Sequence, residues 1–303
     1  MDAKQVSSFQ SSVTGKRWLW IGVCGILLLL AACGARPASI SRVALLAPFE
    51  GRYREVGYQA LHAARLAALD SGGTSVELLA IDDGGSVASA VDRARALAGD
   101  PLVKVVVALG YAATAPETQR ALGDKPMLIA GSWGAQPETP GVFVLASPSL
   151  AGTLTAETRV EVTEAARLEA PLVGGDVFAL QQFARLRSSL DRLKVVSSGS
   201  LPDAAFIERY RQTGLFVPQP GPLATLTYDA FGLALMAVRS PEANLTAALA
   251  DTHYDGYNGL IRFQGGWWQD APLHDFVYDE TCLGRGQEMC LIPASQTPVE
   301  AAP

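Results

Sequence analysis

Few residues in this chain have the types and spacings that do chemistry. Asp82 and Asp83 are adjacent carboxylates followed by Gly84–Gly85. Such a pair could move protons, but with two glycines behind it the pair reads better as a tight turn that caps a helix. His62, His253 and His274 are scattered without ligand spacing, so no metal site is expected. No G-x-S-x-G, H-E-x-x-H, P-loop or Ser-x-x-Lys pattern occurs. The chain is therefore expected to be neither an enzyme nor a cofactor carrier. The cysteines carry more. Seven residues lie between Cys282 and Cys290, a spacing that suits a small disulfide loop in an oxidising compartment, with two free thiols as the alternative. Cys33 closes an apolar run, directly after Leu30, Ala31 and Ala32.

That run sets the compartment. Lys16 and Arg17 precede Trp18–Ala32, an uncharged stretch of 15 residues. A spanning helix needs about 20 residues, so the stretch suits the apolar region of an export signal. Small residues before a cysteine resemble the bacterial lipobox, in which that cysteine is acylated and becomes the new N-terminus. The resemblance implies a signal peptide over 1–32, a lipid (palmitate among its acyl chains) on Cys33, and a tether over 33–41. It implies a location at the cell membrane, facing the periplasm or the cell exterior. An uncleaved N-terminal helix is the competing reading.

Composition narrows the rest. The chain carries a net charge of −6, and the segment 1–32 contributes +2, which leaves −8 on the remainder. An acidic domain with no run of Lys or Arg is a poor nucleic-acid binder. With 49% hydrophobic and 18% charged residues, it reads as a packed globular protein. Apolar runs alternate with helical spacings. Strands are expected at 42–48, 75–81, 104–109 and 127–130, with helices after each of the first three. Val142 to Thr155 is irregular. Helices at 156–168 and 178–190, strands at 171–174 and 193–197, an apolar helix at 227–238 and strands at 259–263 and 273–278 follow. Trp267–Trp268 reads as part of a turn, and 293–303 as a disordered tail. Buried strands alternating with helices mean an α/β protein with parallel sheets covered on both faces.

The stretch VALLAPFEGRYREVGYQALHAARLAALD, Val43 to Asp70, resembles the opening of type I periplasmic binding proteins, in particular the branched-chain amino-acid (Leu/Ile/Val) substrate-binding proteins of ABC transporters. Pro48, Gly51, Tyr53, Gly57 and Ala63–Ala64–Arg65 carry that likeness. VVVALGYAATAPETQRAL, PMLIAGSWGAQPE, TYDAFGLALMAV and GYNGLIRFQGG resemble later stretches of the family in the same order. The resemblance implies two α/β lobes around a cleft: lobe 1 over 42–141 and 223–264, lobe 2 over 142–222 and 265–292. Between Val142 and Pro171 there is room for one helix only. Lobe 2 is therefore expected to lack roughly two strand–helix units of about 30 residues each.

The same resemblance implies ligand-binding positions: Tyr53, Tyr111, Thr114, Ser132, Trp133, Ala135 and Asp176. Thr114 falls at an expected helix start, where N–H groups favour an anion, or where it simply caps the helix. Ala112 and Ala113 leave that loop poor in hydroxyl groups. Trp133 could wall a ligand or pack on its own loop. Tyr53 could contact a ligand or serve as a lid residue. Asp176 could meet an ammonium group or cap a helix at Phe178. The implied function is a lipid-anchored receptor that captures an amino acid or related small molecule for an ABC permease. The alternative is an interaction protein on the same fold, such as a cell-wall synthase activator or sensor partner, with no small-molecule ligand.

Overall fold

The computed structural model describes residues 40–72, 76–153, 172–182, 193–242, 244–279, 282 and 290–296. The expected helix at 156–168 and residues 183–190 of the next one lie outside the described residues, as do Cys33 and the segment 1–32.

The chain opens with β1 (Ser41–Ala47), whose last five residues are buried. A buried strand of this kind needs cover on both faces. One cover is α1 (Arg54–Asp70), which presents Val56, Ala60, Ala64 and Ala67 to the core at helical spacing. Gly57 is required at its start. A Cβ there would collide with the carbonyl oxygen of Pro48, which accepts the Gly57 N–H at 3.1 Å. Next come β2 (Val76–Asp82) and α2 (Val87–Gly99), capped by the Ser86 side chain, which accepts from the Ser89 N–H. They lead to β3 (Val103–Ala108), α3 (Pro116–Ala121) and β4 (Met127–Ala130).

The run VFVL forms a further parallel strand, β5 (Val142–Leu145), buried along its length. A short helix, α4 (Pro148–Thr153), follows it. The second sheet begins with β6 (Leu172–Gly174) and β7 (Leu193–Ser197), which pair in parallel. After α5 (Ala204–Arg211) comes α6 (Pro222–Arg239), apolar nearly all round, which packs against α1 and, beside it, against β1, β3 and β4 of the first sheet. Then α7 (Leu245–Ala250), β8 (Tyr254–Gly256) and β9 (Gly259–Ile261) lead to β10 (Phe263–Gln264) and β11 (Trp267–Trp268). β12 (His274–Tyr278) and β13 (Leu291–Pro293) complete the second sheet.

Among the described residues the first sheet has the order β10-β11-β5-β4-β3-β1-β2, and the second β13-β12-β7-β6. Sheet membership moves the boundaries expected from the sequence. β5, β10 and β11 all belong to the first sheet, so the switch to the second sheet falls after Leu145 and after Trp268. The Trp pair is a strand and not merely a turn; Trp268 is buried, and its indole N–H donates to the Leu260 carbonyl at 3.0 Å. Pro293 ends a strand, and residues 294–296 form a 3-10 turn where a disordered tail was expected.

One polar network joins three of these elements. Asp229 of α6 is fully buried and accepts from the N–H groups of Tyr257 (2.6 Å) and Asn258 (2.9 Å) and from the Asn258 side-chain amide (2.8 Å). Asn258 Oδ1 in turn accepts from the N–H and hydroxyl of Ser200, each at 2.8 Å, just past the end of β7. Burial outweighs these donors and pushes the Asp229 carboxyl up to about 6.

Two further features yield expectations. Cys282 and Cys290 form a disulfide with Cα atoms 5.5 Å apart, next to the β12–β13 pair. Closing so short a loop restricts the unfolded chain modestly, so a Cys282→Ser, Cys290→Ser variant should lose about 2.5 kcal/mol in urea unfolding. A loss below about 0.5 kcal/mol would mean that the bridge does not constrain this edge.

His62, on α1, is buried against Tyr210, and its Nδ1 pairs with the Thr213 hydroxyl at 2.8 Å. Burial first, and then the charge of Arg65, lower its pKa to about 4. A depressed histidine contributes stability that is present above its unfolded pKa near 6.5 and is lost as pH falls toward 4. Relative to a His62→Gln variant, the wild type should lose about 3 kcal/mol between pH 7 and pH 4. Parallel stability curves for the two proteins would refute this.

Candidate functional site

The C-terminal ends of parallel strands are where α/β proteins place ligand groups, because the following loops and helix starts converge there. Tyr53 follows β1, Tyr111 follows β3, and Ser132 and Trp133 follow β4. Asp176 follows β6, and Ser197 ends β7. The structure brings these residues together across the two sheets.

Three aromatic rings make one wall. Tyr53 and Tyr111 meet edge to face with centroids 5.9 Å apart, and Tyr111 meets Trp133 in the same way at 5.5 Å. Trp133 is buried, and its indole N–H donates to the Ala130 carbonyl at 2.7 Å, so the ring is fixed by the strand it follows. Tyr111 is 37% exposed and Tyr53 is partly exposed, so both present surface to solvent. Burial, then the charge states of Tyr53 and Asp176, raise the Tyr111 phenol well above its ordinary pKa, so it stays a neutral donor. This wall is large, rigid and amphipathic, and suits the apolar part of a small ligand.

Asp176 stands beside it, fully buried. One carboxylate oxygen accepts from the Ser132 N–H (2.7 Å) and the Ser132 hydroxyl (2.8 Å), and the other from the Ser197 hydroxyl. Three donors compensate the burial of one charge, and burial still raises its pKa. The bond to Ser132 ties the second sheet to the first. Gly131 allows it: a Cβ there would sit 3.0 Å from the Asp176 carboxylate. A second tie runs from Glu55, in the first turn of α1. Its carboxylate accepts from the N–H groups of Gln181 at 2.7 Å and Gln182 at 3.0 Å.

Several expected roles change. Asp176 does not cap a helix: the short 3-10 turn at Asp176–Ala179 has Gly175 at its cap position, without a side-chain cap bond. Thr114 does not open α3, whose N-cap is Ala115, and Pro116 begins the helix. The Thr114 hydroxyl is buried and donates to the Gly110 carbonyl at 2.8 Å, which draws it into the loop. Ala135 packs against the core beside the loop and offers no polar group. The Asp82–Asp83 pair tightens its turn as the sequence suggested: Asp82 accepts from Phe49 and Gly84 N–H groups, and Asp83 from Gly85. Glu55 and Ser197 were not singled out from the sequence. Ser197 stands at a strand's C-terminal end, a signal that could have found it, whereas nothing local marks Glu55. Among the described residues, no group of three His, Cys, Asp or Glu could hold a metal ion.

At the level of sequence, no protein-family model and no curated relative matches the chain. Solved structures do. The branched-chain amino-acid substrate-binding protein LivJ of Streptococcus pneumoniae, solved with isoleucine, superimposes with a TM-score of 0.62 at 15% identity, over 78% of this chain and 95% of that one. The leucine-binding protein LivK of Thermotoga maritima gives 0.60 at 14% identity, over 78% and 95%. A solute-binding protein of R. palustris, solved with benzoate, gives 0.58 at 15% identity, over 84% and 95%. With its two sheets and its parallel strands flanked by helices, the chain has the fold of the type I periplasmic binding proteins, as the branched-chain amino-acid substrate-binding proteins do.

Proposed function

We propose that the chain is an extracytoplasmic solute-binding lipoprotein, anchored through Cys33, that captures an amino acid or related small molecule for an ABC transporter. The observation that carries this reading is the meeting of strand-end residues from the two sheets: the rings of Tyr53, Tyr111 and Trp133 pack edge to face near Asp176, whose carboxylate could take an ammonium group if its bonds to Ser132 and Ser197 opened. The fold supports a binder rather than a catalyst, since the structures it matches are transporter substrate-binding proteins. Isoleucine, leucine, benzoate and 4-hydroxybenzoate, the ligands of such neighbours, make the first panel. A true ligand at 100 times its dissociation constant adds about 2.7 kcal/mol and raises the melting temperature by several degrees. A panel of these and other small amphiphiles with no shift would count heavily against the reading.

Anchoring is a separate claim. No helix among the described residues is long and apolar enough to cross a membrane. Radiolabelled palmitate should be incorporated by the wild type and lost in Cys33→Ala; label that persists in the variant would remove the anchor.

A second reading has its own support. The Asp176 carboxylate, the Ser132 N–H and the hydroxyls of Ser132 and Ser197 already satisfy one another. That suits an interaction protein that holds no solute and acts on a wall synthase or sensor. Crosslinking in membranes separates the two: recovered permease subunits favour transport, and recovered synthase or sensor subunits favour the alternative.

A further inference from the structure

At the opposite end of the first sheet from Tyr111 and Asp176 lies a concavity of about 650 Å³, at the N-terminal ends of β3 and β4. Leu122 and Leu245 are among its apolar walls, and Asn244 and Thr246 give it polar groups from the start of α7. Two lysines face it, Lys104 and Lys125.

Among the described residues no carboxylate forms an ion pair with either lysine, although the charge of Asp100 acts on Lys125 through space. The Lys125 ammonium donates to the carbonyls of Asp100 (2.8 Å) and Val103 (2.7 Å), and the Lys104 ammonium to that of Pro101 (2.8 Å). An ammonium has three N–H donors, so one remains on Lys125 and two on Lys104. The two cations feel each other: burial, and then the charge of Lys104, lower the Lys125 pKa. Two acidic groups lie close. Asp100 is occupied by Arg42 (3.4 Å) and the Leu102 N–H (2.8 Å), and Asp124 is exposed at the rim. What is left is a pair of cations with unused donors in a concavity with apolar walls, the chemistry that holds a phosphate.

The place of this concavity suggests the source of the phosphate. The Arg42 N–H donates to the Leu102 carbonyl at 2.7 Å, and Arg42 pairs in register with Val103, which lines the concavity. The chain thus joins the fold beside it. Cys33 lies seven residues before Ile40, a reach of at most about 25 Å. If Cys33 carries lipid, which rests on the anchoring reading above, this end of the first sheet is kept near the bilayer.

We propose that the concavity between β3, β4 and α7 is a phosphate-binding site, with Lys104 and Lys125 as its cations, and that its occupant is the headgroup of an anionic phospholipid.

Full-length protein in dodecyl maltoside micelles would be titrated with phosphatidylglycerol, with phosphatidylcholine and with inorganic phosphate, following the melting temperature. Phosphatidylglycerol should raise it saturably, and phosphatidylcholine, whose choline cation faces the same lysines, should do so at least tenfold more weakly. Lys104→Gln, a half-exposed change, should weaken phosphatidylglycerol binding at least tenfold without altering the melting temperature of the free protein. Lys125→Met checks the second cation. Inorganic phosphate binding as tightly as phosphatidylglycerol would keep the phosphate site but overturn the lipid headgroup as its occupant. No saturable shift with any phosphate, or unchanged binding in Lys104→Gln, would overturn the site itself. None of these titrations uses the Tyr111–Asp176 region or the acyl chain, so failure here is distinct from failure of the solute-binding or anchoring readings.

Discussion

Asp229→Ala should lower the unfolding free energy by about 3 kcal/mol at pH 7. Its carboxylate is the acceptor for three buried donors, on Tyr257 and Asn258. Each donor left without a partner costs about 1–3 kcal/mol, and removing a buried charge returns part of the sum. The damage spreads, because Asn258 is also the acceptor for Ser200. Gly256 shows how tight the fit is: a Cβ there would lie 2.8 Å from the Asp229 carboxyl carbon. The pH dependence has a definite sign. The folded-state pKa, about 6, is raised above the ordinary carboxyl value. The linked stability is therefore fully present below about pH 4 and is lost as pH rises through 6. The difference between wild type and variant should shrink from pH 4 to pH 8. Urea unfolding across that range checks both claims, and a difference under about 1 kcal/mol at every pH would mean that water replaces the carboxylate without loss.

Asp176→Ala is the second large effect, of a different kind. The substitution removes the acceptor for the Ser132 N–H, the Ser132 hydroxyl and the Ser197 hydroxyl, and with it one of the two ties between the sheets described above. A loss of about 2–3 kcal/mol is expected, less than for Asp229 because parting of the sheets lets water reach the freed donors. The radius of gyration in small-angle scattering should increase. Adding Glu55→Gln, which weakens the tie to Gln181 and Gln182, should enlarge the change. Unchanged scattering in the double variant would mean that packing, and not these carboxylates, keeps the sheets together.

Much of the fold was legible in the sequence because buried parallel strands are uniformly apolar. RVALLAP and KVVVAL announce β1 and β3 without help from neighbours. Val142–Leu145 is equally apolar but only four residues long, between Pro140–Gly141 and Pro148, so turn signals masked it. Trp267–Trp268 is a strand only because β5 and β10 flank it, a long-range fact that no local pattern carries. The site shows the same division. The family resemblance pointed to Tyr53, Tyr111, Ser132, Trp133 and Asp176, and the structure places each after a strand. What the side chains do there was decided by distance. Asp176 looked like a ligand group or a cap, and it became an acceptor for two serines 44 and 21 residues away in the chain. Thr114 looked like a helix start, but Pro116 moved that start two residues on, and the hydroxyl turned to Gly110.

The bond between Ser132 and Asp176 also has a consequence in time. If the chain binds a solute as proposed above, a solute reaching for either group would meet a partner already in place, and entry would wait for that contact to part. In stopped-flow mixing, the observed rate would then rise with solute concentration only at first and level off at the rate of parting. Loosening the contact with Ser132→Ala should raise that plateau. Affinity for a solute and the speed of its capture would thus be set by different residues, the aromatic wall governing the first and one serine–aspartate pair the second.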